Sequence, residues 1–438
     1  MKKALKKAAS SLLLIVLVAL AARLGFAWYQ VRQMPREAIG SVPFAQETGS
    51  IAYALATGKG FSSPFRGETG PTAWLTPVYP LLVAGIFRIC GAFTAGSFFT
   101  VVFLNTLFSS AACVPIFHAG KRIGGLGVAC GAAWLWALFP NAVMMPFEWV
   151  WDTCLAAMLG ATLLWATLKL ADSPQRTWKW CAYGLLWGFT LMTNPSLGSL
   201  FPILLAWATY RARQTAKVTT SRPAIAAGIV ILCCIPWTVR NYVVFHRLVP
   251  LRSNFPLELY IGNNNNYATR QFVWPPRITK ERELLRYFRI GETAFMDEEK
   301  RKAMEFIRAH PRIFLELTAK RFVAFWTGLA DPVQNFLSTD SWLVRFLLAS
   351  NTLAAFGALL GIAFLVRRRS PYRLPVAAYP AVFPWLYYIT HPNLRYRHPI
   401  DPVVLMLTAV AFAAAWGKLS GKTSIADSAA PETTGKIS

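Results

Sequence analysis

Four short stretches of this sequence gather carboxylates, arginines and amide or hydroxyl side chains at spacings that could do chemistry. In the first, Glu47 opens the segment ETGSIAYALATG, which ends at Gly58 and Gly60. A carboxylate there has two readings: a first-turn charge that complements a helix dipole, or a general base held at a membrane surface. The run SSPFRGETGPTAWLTPVYP follows and carries Glu68; its Gly, Pro, Ser and Thr content is that of a loop with a defined course. In the second stretch, PFEWVWDT, Glu148 and Asp152 stand at i and i+4, a spacing that shares one helix face. They read as first-turn acids beside the interfacial Trp149 and Trp151, or as carboxylates that orient an acceptor or a sugar hydroxyl.

The third stretch runs PWTVRNYVVF and then PLRSNFPLELYIGNNNN, and supplies Arg240, Arg252, Asn254, Glu258 and Asn263. Asn and Arg side chains suit sugar hydroxyls and phosphate oxygens; a capped helix end and a surface turn are the plainer alternative. The fourth, HPNLRYRHPIDP, crowds His391, Arg395, Tyr396, Arg397 and His398 before the last apolar run. Arginine binds phosphate bidentately and stabilises charge growing on a phosphate leaving group; the alternative is snorkelling to lipid head groups. Arg23, near the end of the first apolar run, has the same two readings.

The elements that must position these groups are membrane helices. The chain has 438 residues, 55% hydrophobic, 14% aromatic and only 15% charged, where a soluble domain carries roughly 25% charged residues. The shortfall comes from long apolar runs, the pattern of bilayer-embedded helices. The formal net charge of +25 comes from 45 Lys+Arg against 20 Asp+Glu. With this hydropathy it speaks for cytoplasmic loops and anionic lipid head groups, or for a phosphate-bearing lipid, and not for nucleic acid. All seven cysteines lie in or beside apolar runs without a CxxC pair, and read as small buried residues. Lys2, Lys3, Lys6 and Lys7 precede an apolar run that continues to Tyr29, longer than a signal-peptide core, so an uncleaved anchor is expected.

Apolar runs cover approximately 11–29, 78–90, 97–118, 124–141, 149–168, 180–193, 196–210, 224–239, 342–366, 374–390 and 398–417. The second is short and follows Pro71, Pro77 and Pro80, which suits a membrane-dipping helix better than a span. If 78–90 does not cross, Lys121/Arg122, Lys169/Arg176/Lys179, Arg211/Arg213/Lys217/Arg222 and Arg367–Arg373 all fall on the cytoplasmic side. The opposing short loops near 141–148 and 193–196 carry no Lys or Arg. The expectation is an all-α polytopic membrane protein of about ten spans with both termini inside. Residues 1–239 then form an N-terminal transmembrane module with a first external loop at 30–96. Residues 240–341 form an external helical segment with a break near Pro311, 342–417 the C-terminal helices, and 418–438 a disordered cytoplasmic tail. No internal repeat is evident, which weakens a reading as a lipid or solute transporter built on inverted repeats.

Four pieces together resemble the GT-C membrane glycosyltransferases, and within them the protein-mannosyltransferase and aminoarabinose-transferase-like group (glycosyltransferase family 39-like). They are ALATGKGF, GPTAWLTPVYPLLVAGIF, PWTVRNY…LYIGN and RYRHPIDPVV, spread over residues 11–417. The resemblance implies a GT-C-like bundle with external juxtamembrane helices. It implies a polyprenyl-phosphate-linked sugar donor, a catalytic carboxylate in the first external loop and a site at the outer leaflet. Acceptor protein, lipid and glycan all remain open, and an O-antigen-ligase-like glycan transferase is the neighbouring alternative. On this reading Glu47, Glu148 and Asp152 are catalytic candidates, and Arg240, His391, Arg395 and Arg397 bind the donor phosphate. Glu68, Tyr79, Arg252, Asn254, Glu258, Asn263 and Tyr396 contact substrate. The family's usual Asp column falls near Phe44, and Glu47 is the acidic residue closest to it. No DxD occurs, so no cofactor is expected and a divalent metal is left open. The expected location is a bacterial inner membrane, with the site facing the periplasm.

Overall fold

Long apolar runs have no water inside a bilayer to satisfy their backbone, so they fold as helices that satisfy it internally. The computed structural model describes residues 11–34, 44, 46–65, 67–148, 150–216, 221–265, 281–328 and 341–419. Trp149, Lys217 and the expected disordered tail from 420 on lie outside the described residues. Among the described residues the chain is helical, and its one extended pairing is an isolated bridge between Ser62 and Pro71.

The helices in chain order begin with α1 (Leu12–Gln33), α2 (Gln46–Ala56), α3 (Val78–Cys90), α4 (Ala95–Ala111) and α5 (Cys113–Leu138). Next come α6 (Pro140–Glu148), α7 (Thr153–Asp172), α8 (Thr177–Thr193), a 3₁₀ turn at Pro195–Leu200, α9 (Phe201–Ala216) and α10 (Ser221–Phe245). The outer segment holds α11 (Phe255–Gly262), α12 (Glu281–Ile290), α13 (Glu292–Ala309) and α14 (Pro311–Thr327). The chain closes with α15 (Trp342–Arg367), α16 (Arg373–Val382), α17 (Trp385–Ile389), α18 (Leu394–Arg397) and α19 (Asp401–Leu419). Every apolar run read from the sequence coincides with helix. By length and composition five stretches among the described residues could cross a membrane: Leu12–Gln33, Ala95–Leu138, Thr153–Asp172, Ser221–Phe245 and Trp342–Arg367.

The outward faces have the character a bilayer requires. On α15, Asn351, Ala354, Ala358, Gly361 and Leu365 are buried at helical spacing, while Leu353, Phe356 and Leu359 on the opposite face are exposed. An exposed apolar stripe of this kind is solvated by lipid chains. On the buried side, Gly357 and Gly361 let α15 ride directly on Thr408 and the Leu407 carbonyl of α19. Small residues four apart give this close backbone approach in membranes.

The two ends of the bundle differ in charge. α7 has 20 residues and so spans about 30 Å, one hydrocarbon thickness. At its far end Asp172 pairs with Arg122, and Arg222 donates to the Pro174 carbonyl. This end collects the basic loops. The near end of α7, at Asp152 and Thr153, opens on the polar stretches identified in the sequence.

Arg23 is 1% exposed on α1 and has a structural task. Pro140 opens α6 without an N–H, so the Trp136 carbonyl one turn back lacks its helical donor. Arg23 fills the break: its guanidinium donates to the carbonyls of Trp136 (3.2 Å), Ala137 (3.0 Å) and Ala19 (2.9 Å), and Nε donates to Ser109 Oγ (2.8 Å). Above the bundle, α11 to α13 pack over the first loop through Phe65, Trp74, Leu257, Tyr287, Phe295 and Met296. The helical break at Pro311 falls where the sequence put it.

Candidate active site

The polar stretches converge on one cavity of about 410 Å³ at the end of the bundle away from the basic loops. Each wall comes from a chain break that frees a side chain. Glu47 stands in the first turn of α2. Trp74, Thr76 and Tyr79 follow from the Pro-punctuated approach to α3. Asp152 occupies the N-cap position of α7. Asn194 sits in the break between α8 and the 3₁₀ turn, where Pro195 stops the helix. Arg252, Asn254 and Glu258 come from the loop after α10 and from α11, and Tyr387, Arg395 and Tyr396 from α17 and α18.

Three carboxylates and two guanidinium groups therefore share one partly desolvated space. Burial pushes the Glu47 carboxyl above its ordinary range, against the pull of Arg395 and Arg252. Glu258 goes the other way: burial pushes it up, but the hydrogen bond and charge of His391, then Arg252 and Arg395, hold it below the usual range. Asp152 Oδ2 accepts from Asn194 Nδ2 at 2.9 Å. The buried Asn194 Oδ1 has no partner among the described residues and is a free acceptor in the cavity wall.

The arginines are held by aromatic and backbone groups. Arg395 lies over the Trp151 ring and donates to the Tyr396 hydroxyl at 3.2 Å. Tyr396 stacks on Tyr387 with centroids 4.8 Å apart. Arg252 Nε donates to the Trp74 carbonyl at 3.0 Å, while the residue lines the cavity. Two cations braced in this way can receive a phosphate without a further ordering cost to their side chains.

Of the residues singled out in the sequence, Glu47, Tyr79, Asp152, Arg252, Asn254, Glu258, Arg395 and Tyr396 line the cavity. Tyr79 presents its ring, since its hydroxyl donates to Asn105 Oδ1 at 3.0 Å. His391 stands behind Glu258, with Nε2 and Oε2 2.6 Å apart.

The others are elsewhere. Arg397 is fully buried outside the cavity and is used up by structure. Its Nε donates to Asp401 Oδ1 at 2.6 Å, Nη1 to the Trp326 carbonyl at 2.6 Å, and Nη2 to Asn351 Oδ1. Arg240 donates to the Thr72 and Phe61 carbonyls, both at 2.7 Å, and braces the first loop. Asn263 caps broken helix ends through the Leu259 and Ile389 carbonyls, both at 2.8 Å. Glu68 is an exposed partner of Lys59. Glu148 accepts from Gln30 at 3.2 Å; the shared helix face expected for Glu148 and Asp152 is lost because α6 ends at Glu148 and α7 starts only at Thr153.

Trp74, Asn194, Tyr387 and Thr390 line the cavity without having been singled out in the sequence. The Thr193–Asn194–Pro195–Ser196 break was the available signal for Asn194. Tyr387 and Thr390 carried none beyond their position at the end of an apolar run.

No family model matches the sequence, and no curated protein sequence does. Solved structures match by fold. Archaeal oligosaccharyltransferase AglB from Archaeoglobus fulgidus, in complex with an inhibitory peptide and a dolichol-phosphate, aligns with TM-score 0.51 and 13% identity over 98% of this chain and 52% of that one. The Archaeoglobus fulgidus oligosaccharyltransferase tethered to an acceptor peptide containing the NVT sequon aligns with TM-score 0.51 and 13% identity, over 96% and 51%. Its complex with Zn and sulfate gives TM-score 0.50 and 13% identity, over 95% and 50%. The chain thus spans about half the length of these solved structures, and at such low identity the likeness is one of fold. The chain has the GT-C-type membrane fold that its motifs led one to expect.

Proposed function

We propose that this protein is an integral membrane glycosyltransferase that moves a sugar from a polyprenyl-phosphate donor to an acceptor at the non-cytoplasmic face. The observation that carries the reading is a single cavity in which Glu47 shares the space with Arg252 and Arg395. The basic loops gather at the opposite end of the bundle, as the cytoplasmic side demands. A fold shared with a protein solved with dolichol-phosphate is in keeping with a lipid-linked donor.

In the reaction, an acceptor hydroxyl or amine attacks the anomeric carbon, and its proton passes to Glu47. The bond from that carbon to the phosphate oxygen breaks, and its electron pair leaves with polyprenyl phosphate. Attack from the face opposite the leaving group inverts the anomeric centre. Arg252 and Arg395 hold the phosphate as its charge grows, with Asp152 and Asn194 orienting hydroxyls of the sugar or acceptor. A raised Glu47 carboxyl suits a base that must take a proton near neutral pH. The relative with zinc raises the matter of a metal. Among the described residues no three His, Cys, Asp or Glu side chains group closely enough to build a metal site from protein ligands alone.

The test is turnover by the purified full chain in liposomes, with short-chain polyprenyl phosphate hexoses and pentoses as donors. Mass spectrometry of the lipids that co-purify is its companion. Release of polyprenyl phosphate, and a prenyl phosphate in the bound pool, is the expected result. Solute or lipid flux across the liposome without bond cleavage would make the protein a transporter instead.

A further inference from the structure

Glu292 opens α13 after Gly291, whose φ of 78° turns the chain into the helix. It is 5% exposed, and its carboxylate accepts four hydrogen bonds. Oε1 takes the Ala73 amide at 2.8 Å and Ser253 Oγ at 2.6 Å; Oε2 takes the Tyr287 hydroxyl at 2.7 Å and Thr72 Oγ1. An ionised carboxylate has about four acceptor sites, and all are used. None of the four donors is a cation. The N-terminus of α13 and Arg240, which holds the carbonyl of Thr72, act on the buried charge electrostatically.

The donors belong to three segments far apart in the chain, and two of these carry the cavity wall. Thr72 and Ala73 immediately precede Trp74, and Ser253 immediately follows Arg252. The two strips are cross-tied beside the carboxylate: the Ser253 amide donates to the Ala73 carbonyl, and Arg252 Nε to the Trp74 carbonyl, both at 3.0 Å. Thr72 Oγ1 also accepts from the Trp74 amide at 3.0 Å. Neither strip has a helix of its own at these residues, so their register depends on what braces them.

We infer that Glu292 is a positioning residue: from the outer helical segment, it sets Arg252 and Trp74 in register as one wall of the cavity. The inference rests on the transferase reading for its kinetic readout. It makes α12 and α13 part of the donor site although neither lines it.

The experiment compares Glu292→Gln with wild type in the full chain, using a short-chain polyprenyl phosphate sugar. An amide in place of the carboxylate turns one acceptor oxygen into a donor that faces donors. Arg252 already holds the donor phosphate before its charge grows, so donor KM should rise about tenfold, with a smaller fall in kcat. In an Arg252→Ala background, Glu292→Gln should raise donor KM little further, because of the two residues it positions the one that holds phosphate is gone. An unchanged KM, or a full tenfold effect on top of Arg252→Ala, overturns the inference. Should Glu292→Gln fail to fold, Ser253→Ala removes one donor, and an about threefold KM rise that vanishes without Arg252 is expected; no rise overturns it. Hydrogen exchange separates the inference from the transferase reading. If wild type turns over no lipid-linked sugar, that reading falls. Faster exchange at the Trp74 and Ser253 amides in Glu292→Gln still supports the positioning role, and unchanged exchange there ends it.

Discussion

Nε2 of His391 stands 2.6 Å from Oε2 of Glu258, joining α11 to the loop after α17 across 133 positions of sequence. Glu258's other oxygen accepts from Asn254 at 3.1 Å, one helical turn back. The pair thus keeps an ionised carboxylate in the cavity wall where burial alone would neutralise it.

The pairing has a pH signature. Because the folded-state value of Glu258 is depressed, its stabilisation is present above the ordinary carboxylate range and is lost as pH falls through the lowered value. Glu258→Gln should therefore melt several degrees below wild type near neutral pH, with the gap closing below about pH 4. Thermal melts from neutral to acid pH check this. A gap that stays constant across that range would show that Glu258 is not held ionised.

Glu47 carries the opposite sign. Its folded-state value is raised, so the folded protein binds that proton more tightly, and stability falls as pH rises from the ordinary range through the raised value. Glu47→Gln should lose about 10²–10³ in turnover as a missing base. It should also melt at or above wild type at neutral pH, with the advantage shrinking on acidification. Turnover and melting on the same preparation read both effects. A folded Glu47→Gln protein with wild-type turnover would remove Glu47 from the reaction.

The two carboxylates also mark what a sequence can and cannot tell. The turn chemistry and Pro breaks that expose Glu47, Arg252, Glu258 and Arg395 are local, so the stretches were legible. The apolar helices were legible for the same reason, through composition. The fate of each arginine was not. Arg23, Arg240, Arg321 and Arg397 all end on backbone carbonyls at helix ends or in loops. Such an acceptor has no residue type, so nothing in RYRHP separates Arg395, which faces the cavity, from Arg397, which faces Asp401. Glu148 and Asp152 share no helix face, because PFEWVWDT is not one continuous helix. Glu292 gave no signal at all; its partners Thr72, Ala73 and Ser253 reach it only in the folded chain.

The difference between the arginines can be measured. Arg252→Ala and Arg395→Ala should each raise donor KM about 10- to 100-fold while the protein still melts cooperatively. Arg397→Ala should instead cost about 3–5 kcal/mol of stability, since it takes from the buried Asp401 its guanidinium partner. Donor titrations on monodisperse preparations give the first result, and expression yield with melting temperature the second. A well-folded Arg397→Ala protein with only a weakened donor affinity would reverse the two roles.

The closest backbone approach at the cavity rim tests whether the wall must be held to sub-ångström tolerance. Gly262 ends α11, and a Cβ there would overlap the carbonyl oxygen of Thr390, the residue before His391. Arg321 fastens the same junction, donating to the Gly262, Tyr388 and Ile389 carbonyls. Gly262→Ala must push α11 away from this loop and pull Glu258, one turn earlier, off His391. A displacement of about 1 Å in a reacting site can cost on the order of 10² in rate. Turnover should fall by that order, and the pH dependence of the Glu258 contribution should flatten with it. Gly228→Ala on α10 is the control: a Cβ there meets nothing within 4 Å, so it should be neutral or slightly stabilising. If Gly262→Ala keeps both the rate and the acid-side melting profile of wild type, the rim tolerates motion, and the Glu258–His391 pair is not what holds the third carboxylate in place.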